Sequence, residues 1–315
     1  MKESSAQRFD ITLAGEINLD ILLYGLPENI PLERELLATG CCMTLGSSSA
    51  ITAHNLSVLG SKVGFITRVG RDDFGAIALR RLNAAGVDLS RVTESHAFDT
   101  GVTMVLPHHE SRHILTYPGS MAEMTLEHLD LAYLTSARHF HLSSYFLHRG
   151  VVPQIPELFR RIKAAGLTIS CDTNDDPADA WGETFQEALP YVDILMPNER
   201  EACKMARTDD FEEAVRVLAA AVPLLVVKMG SKGAMAVRGS ERLQCSPIAV
   251  DVVDPLGAGD TFNAGFLHQH VRGASLKGCL DSGNRAAAFS TTRSGGTEAF
   301  RNPGLWAEFQ EQHKR

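Results

Sequence analysis

The residues best suited to chemistry sit together in Asp254-Pro255-Leu256-Gly257-Ala258-Gly259-Asp260-Thr261-Phe262. Small residues at 257, 258 and 259 let backbone N–H groups approach a bound anion without side-chain obstruction. A helical pattern from about Thr261 to Arg272 brings the positive end of a helix dipole to the same place. Asp260 stands at that end with a carboxylate that is ionised at neutral pH unless buried. An anion cradle beside a base suits transfer of a phosphoryl group to a hydroxyl. The cradle holds charge on the moving group, and the carboxylate takes the hydroxyl proton. A plainer reading competes, because Gly-x-Gly before a helix is common and Asp is an ordinary N-cap. The third glycine of a dinucleotide fingerprint is missing, and no Gly-x-x-x-x-Gly-Lys-Ser/Thr loop occurs.

Other candidates lie at the ends of expected strands. Asp20 stands between apolar Leu19 and Ile21 in an extended stretch after Gly15. Asp172 and Asn174 directly follow a strand expected at Leu167 to Cys171, so a turn role and a site role compete there. Asn198-Glu199-Arg200-Glu201 has the form of a capping box. Lys228-Met229-Gly230-Ser231-Lys232-Gly233 ends a strand in a turn whose glycines admit close backbone approach. Gly70-Arg71-Asp72-Asp73-Phe74-Gly75 opens a helix to Ala85, with Asp72 and Asp73 as N-cap candidates.

These residues need a frame. Strands are expected at Phe9–Ala14, Lys62–Val69, Ala137–Leu142, Leu167–Cys171, Val192–Met196 and Leu224–Lys228. Gly46-Ser47-Ser48-Ser49-Ala50 leads into a helix through Leu59, and further helices are expected at Leu126–Tyr133, Val151–Ala165, Ala180–Ala188, Glu199–Ala206, Phe211–Ala221 and Ser275–Thr292. Alternation of this kind predicts an α/β fold, a doubly wound, mostly parallel sheet with helices on both faces. Ligands then gather beyond the strand C-terminal ends. Asp20–Tyr24, Leu36–Thr44, Asp99–Leu106 and Arg112–Tyr117 read as a separate small sheet, the last two joined by the turn Pro107 to Ser111. The β-branched run Ile248 to Val253 precedes the opening motif, and Trp306 and Phe309 suit packing of a final helix.

Composition narrows the classes. A net charge of −8 argues against nucleic acid as a partner but leaves nucleotides open. No stretch has the roughly 18 consecutive apolar residues of a membrane span, and Met1 to Asp10 lacks an apolar signal core. The six cysteines form no Cys-x-x-Cys, so a reduced, cytoplasmic protein is expected. The histidine pairs His108-His109, His139/His141 and His268/His270 lack metal-ligand spacing and are expected on the surface or in the core. There is no repeat or long linker, so residues 1–315 are expected to form a single domain.

Taken in order, these motifs resemble those of the ribokinase (PfkB) family of carbohydrate and nucleoside kinases. The family's Asp-Thr-x-Gly-Ala-Gly-Asp signature is kept here except at Pro255 and Leu256. The resemblance implies that Asp260 is the catalytic base and that Gly257, Ala258 and Gly259 form the anion hole. It implies that Asp20, spaced from Gly15 as in the family, grips substrate hydroxyls. It places Asn198 and Glu201 near magnesium, through water, and near phosphate. It assigns the nucleotide to the Lys228, Gly230 and Gly233 loop and to Asn284 beside adenine. It offers Asp254, with carbonyls around 293–297, as a potassium site. ATP and Mg2+ are the implied cofactors, with K+ as an optional third, and a small sugar, sugar acid or nucleoside is the implied partner. Residues 16–45 and 98–117 would form a β lid over the acceptor, and the lid could pair two copies.

One departure stands at the acceptor. Where the family has Gly-Gly-x-x-x-Asn, this chain has Gly46-Ser47 and Ile51. Gly46 and Ser47 keep the position, while Ile51 removes a polar contact that Ser47, Ser48 or Asn55 would have to replace. Two rival readings follow: a catalytically silent sugar- or nucleotide-binding protein of the same fold, and a hydroxymethylpyrimidine- or pyridoxal-type kinase.

Overall fold

The computed structural model describes residues 8–108 and 111–313. Residues 1–7, His109, Glu110 and 314–315 lie outside the described residues, and with them most of the polar N-terminal stretch and the middle of the Pro107–Ser111 turn. The strands are β1 (Ile11–Ala14), β2 (Asn18–Tyr24), β3 (Gly40–Gly46), β4 (Val63–Ile66), β5 (Arg68–Gly70), β6 (Thr93–Ser95), β7 (Gly101–His108), β8 (Ser111–Tyr117), β9 (His139–Leu142), β10 (Thr168–Cys171), β11 (Ile194–Leu195), β12 (Leu224–Lys228), β13 (Ala234–Arg238) and β14 (Glu241–Cys245). The helices are α1 (Ser48–Val58), α2 (Asp73–Ala84), α3 (Leu131–Leu134), α4 (Ile155–Ala164), α5 (Glu183–Ala188), α6 (Glu199–Ala206), α7 (Phe211–Ala221), α8 (Ala258–His270), α9 (Leu276–Ser290) and α10 (Pro303–Gln312).

Eight strands form one sheet in the order β14-β13-β12-β11-β10-β9-β1-β4. The run from β12 to β4 is parallel, and β13 and β14 add an antiparallel edge. The β12 sequence Leu-Leu-Val-Val shows why the sheet is covered twice. Leu225 and Val227 enter one hydrophobic core, Leu224 and Val226 the other. Side chains alternate across a strand, so an unbroken apolar run needs apolar cover on both faces. Helices α4, α6 and α7 contribute to the first core, α1, α2, α8 and α9 to the second.

Strand β9 is the polar exception. His139 and His141 are fully buried, and Ser170 on β10 sits between them, 2.7 Å from His139 Nε2 and 2.6 Å from His141 Nδ1. Thr168 and Ser143 occupy the remaining ring nitrogens. Burial pushes both rings below the usual histidine value, His141 to about 4, so they stay neutral inside the sheet.

A separate four-stranded sheet, β3-β2-β7-β8, is built from the two segments expected for a lid. Its register places Thr44, Asp20, Thr103 and Thr116 in one row across the sheet. Side chains of paired residues share a face, so this row and the Asn18 row beside it make a polar patch.

Some expected boundaries move. Leu36 to Thr39 precede β3 rather than belonging to it, and Leu37 is exposed. Lys62–Val69 divides, β4 joining the main sheet while β5 pairs with β6. Leu126–Tyr133 becomes a 3-10 turn followed by the short α3. The run Ile248 to Val253 is not a strand, and Val252 and Val253 are exposed. Helix α8 begins at Ala258, not Thr261, which puts Asp260 inside the first turn.

Candidate active site

Successive parallel strands each deliver a polar residue at the C-terminal end. Glu16 follows β1, Ser143 and Ser144 follow β9, Asp172 follows β10, Asn198 follows β11, and Lys228 closes β12. Helix α8 starts over the same edge. Gly257 is its N-cap with φ +72°, and a Cβ there would lie 2.6 Å from the Gly296 Cα. Only glycine tolerates both constraints. Asp254 shapes the approach to this turn. Its two carboxylate oxygens accept N–H groups of Leu256 (2.9 Å) and Gly295 (2.8 Å). Ala258 N–H lies 3.2 Å from Pro255 O, while the N–H groups of Gly257, Gly259 and Asp260 have no backbone partner among the described residues.

Asp260 is buried, and its pKa is raised to about 7. Burial is the main cause, the Asp172 carboxylate adds to it, and Lys228 and a hydrogen bond with Ser48 oppose it. The resulting value lies where a general base works best at neutral pH. Asp172 is fully buried and accepts from both Lys228 Nζ and Asn263 Nδ2. Burial alone would lower Lys228, but the carboxylates of Asp172 and Glu201 outweigh it and keep the ammonium charged. A Cβ built on Gly259 would lie 3.7 Å from Lys228 Nζ, so the ammonium stands beside the cradle.

Asn198 and Glu201 form the capping box in full, Asn198 Oδ1 accepting from Glu201 N–H and Glu201 Oε2 from Asn198 N–H. Glu201 is also buried and raised to about 7, first by burial and then by Asp172. It therefore belongs to the Asp172–Lys228 cluster as well as to the cap. Two buried oxygens, Asn263 Oδ1 and, on the residue after Asp172, Thr173 Oγ1, have no hydrogen-bond partner among the described residues.

A cavity of about 300 Å3 opens beside the cradle, with Lys228, Gly230, Gly233, Gly259 and Asn284 in its wall. That volume is at the lower end for small-ligand sites. Its remaining wall is largely apolar, with Ile248, Val250, Phe262 and Ala287. Gly233 has φ +88°, and a Cβ there would collide with Cys245 O. Asn284 donates to Cys245 O and Ser246 O at 3.1 and 3.2 Å, so its amide hydrogens brace the wall and its oxygen is left for a ligand.

On the small sheet, Asp20 is buried and raised to about 7, by burial first and by Asp254 next, against hydrogen bonds from Thr103 and Asn18. Gly46 faces this carboxylate, and a Cβ at 46 would fall on Asp20 Oδ1 and Asn18 Oδ1. Ser47 donates to Asn18 Oδ1 at 2.9 Å. Ser48, bonded to Asp260, also accepts from Asn174, which reaches Ser144 at 2.9 Å.

The Ile51 departure resolves differently from expectation. Ile51 is buried, and its Cδ1 lies 3.1 Å from a Cβ built on Gly257 and 2.9 Å from one built on Gly296. It supports the backbone of the cradle. Asn55 does not replace the lost polar contact either, since it donates to Thr261 Oγ1 (2.9 Å) and Gly296 O (3.0 Å).

Sequence reasoning missed Glu16 and Asn263. Glu16 ties β1 to α1 through Ser49 N–H and Oγ and pairs with His148 at 3.0 Å. Burial works against its charge, but His148 and Ser49 hold it near 2. Asn263 lies three residues after Asp260, a helical spacing that puts the two on one face and was the available signal.

A model of the pfkB family carbohydrate kinases matches residues 15–303. The chain is 29% identical over 299 residues to an ATP-dependent ribose-1-phosphate kinase of Halopiger xanaduensis, covering 91% of this chain and 93% of the relative. The adenosine kinase structure from Sinorhizobium meliloti aligns with TM-score 0.85 and 26% identity, covering 97% of this chain and 99% of that one. The Arabidopsis thaliana ribokinase complexed with ribose and ATP aligns with TM-score 0.81 and 25% identity, covering 96% and 98%.

Proposed function

The chain belongs to the pfkB family of carbohydrate kinases, and from that premise we propose that it transfers the terminal phosphoryl group of ATP to a primary hydroxyl of a sugar, sugar acid or nucleoside. The observation that carries this reading is Asp260, a buried carboxylate with a value near 7 beside open backbone N–H groups of the first helical turn and the Lys228 ammonium. In the proposed step Asp260 takes the hydroxyl proton. The freed oxygen bonds to the γ-phosphorus, and the bridging bond to ADP breaks. The N–H groups of Gly257 and Gly259 and the Lys228 ammonium balance charge on the moving group. Asp20 and Asn18 on the lid hold acceptor hydroxyls, with Gly46 leaving the room and Ser47 fixing Asn18. The 300 Å3 cavity takes the base and ribose against its apolar wall.

Magnesium fits the donor set at the other end of the cluster. Asp172 and Glu201 together exceed the charge of Lys228, and Asn263 Oδ1 and Thr173 Oγ1 are buried oxygens awaiting partners. Glu201 and Asn198 would hold the ion through water, since each already bonds the other. When bound with the triphosphate, the ion neutralises phosphate charge. Potassium at Asp254 is a separate proposal. Asp254 is buried and bonds the Gly295 N–H, which sets its carboxylate beside the 293–297 loop, and kcat in potassium against choline chloride tests it.

Against the silent-binder alternative stand the named relatives, an ATP-dependent ribose-1-phosphate kinase, an adenosine kinase and a ribokinase. Pairing of two copies through the lid is proposed from β8, where Ile114, Leu115 and Tyr117 are exposed. Among the described residues no helix is long and apolar enough to cross a membrane. The test is ADP release with ATP and magnesium across a panel of ketoses, aldoses, sugar acids and nucleosides. Acceptor-dependent ADP formation is expected, and its absence with every member would overturn the proposal.

A further inference from the structure

A second cavity, of about 890 Å3, opens between α1, α2 and the chain after Gly296. None of the residues assigned to phosphoryl transfer lines it. Three arginines do. Arg81 and Arg301 share one carboxylate, Glu298, at 2.6 and 3.0 Å. Arg80 is exposed and has no hydrogen bond or ion pair among the described residues. Three guanidinium groups against one carboxylate leave an excess of positive charge, in a chain whose formal net charge is −8.

The rest of the lining is of another kind. His54 is buried with Nδ1 at 2.8 Å from Asn55 Oδ1. Asn55 spends its own amide hydrogens on Thr261 and Gly296, so the proton in this bond belongs to His54. Burial holds His54 below the ordinary histidine value, which keeps the ring neutral and leaves Nε2 as an acceptor. Trp306, packed 5.4 Å between ring centroids from the buried Phe300, supplies an aromatic surface.

We propose that this cavity binds a phosphorylated polyol, with its phosphate on Arg80 and Arg301, a hydroxyl on His54 Nε2 and its carbon face against Trp306. Phosphate suits paired guanidinium forks better than a single carboxylate does, because it offers more charge and more oxygens. A bare imidazole nitrogen requires a donor, and an alcohol is the donor such a ligand carries.

An occupant would touch parts that meet the active site. Arg81 donates to Met43 O on β3 at 2.8 Å, and Thr297 Oγ1 lies 3.4 Å from Thr44 Oγ1, so the lid strand borders the cavity. His54 leads through Asn55 to Gly296, whose backbone packs on Gly257. Binding is therefore expected to change the KM for the acceptor.

The probe is glucose 6-phosphate, titrated into the full chain without ATP and followed by tryptophan fluorescence. Trp306 lines the cavity, while the other tryptophan, Trp181, is buried in the opposite core. A saturable change is expected. Arg80→Glu should weaken it about tenfold or more, given the strength of charge-assisted contacts. Asp20→Ala, which alters the acceptor site, should leave it unchanged, and glucose or inorganic phosphate alone should bind more weakly. The exposed Arg80 has no partner to lose, so the variant is expected to fold, which circular dichroism checks. Absence of saturation, equal affinity in Arg80→Glu, or loss in Asp20→Ala would each overturn the proposal, the last by placing the ligand in the acceptor site.

Discussion

Replacing Asp260 by asparagine should lower activity and raise stability, and both effects come from the same burial. The folded-state value of Asp260 is about 7, against 3.8 for an ordinary aspartate. A raised carboxylate pKa means that the folded chain holds its proton more tightly than the unfolded chain does. The side chain's contribution is thus most favourable below the unfolded value and is lost as pH rises through 7. At about 1.36 kcal/mol per pKa unit, the wild type carries a cost of roughly 4 kcal/mol at pH 8 and less than about 1 kcal/mol at pH 4. Asp260→Asn removes the charge and keeps the shape. For a chain of 315 residues, 1 kcal/mol corresponds to roughly 1.5 °C, so the variant should melt up to about 6 °C above wild type at pH 8. The gain should shrink steadily toward pH 4. The same variant should lose about 10²–10⁴ in kcat, since no base remains at the hydroxyl. Wild-type kcat/KM should fall below pH 7 as Asp260 takes up its proton. Thermal melts across pH 4–8 and initial rates of ADP release are the assays. A variant that melts below wild type at pH 8, or a wild-type rate that is flat from pH 6 to 8, would refute the reasoning.

Further outcomes follow from individual contacts. Gly46→Ala drives a Cβ onto Asp20 and Asn18, so the acceptor KM should rise about tenfold or more while the ATP KM stays put, as steady-state kinetics will tell. Lys228→Met leaves Asp172 buried without its cation, and urea unfolding at pH 8 should show a loss of about 3–5 kcal/mol. Gly257→Ala combines a positive φ with a Cβ 2.6 Å from Gly296, and kcat should fall about tenfold or more with little change in ATP binding by calorimetry.

Much was legible before any coordinate. The apolar β12 run announced a strand covered on both faces, and the alternation of strands with helices announced a mostly parallel sheet. Asn198 and Glu201 declared their capping box, and the bounds of α6 and α7 coincide with the expected ones. These features depend on periodicity and on contacts within a few residues, which a linear chain displays directly. Other features needed the folded molecule. Asp172, Lys228 and Asn263 meet across separations of 56 and 91 residues. Ile51 looked like a lost polar contact and is instead a brace under Gly257. Leu126–Tyr133 suggested one helix and is a 3-10 turn followed by the short α3. The value near 7 at Asp260 was beyond the sequence for the same reason. Desolvation and charge act through whatever surrounds a group in space, and neighbours distant along the chain are chosen only when the whole sheet and its helices close around them.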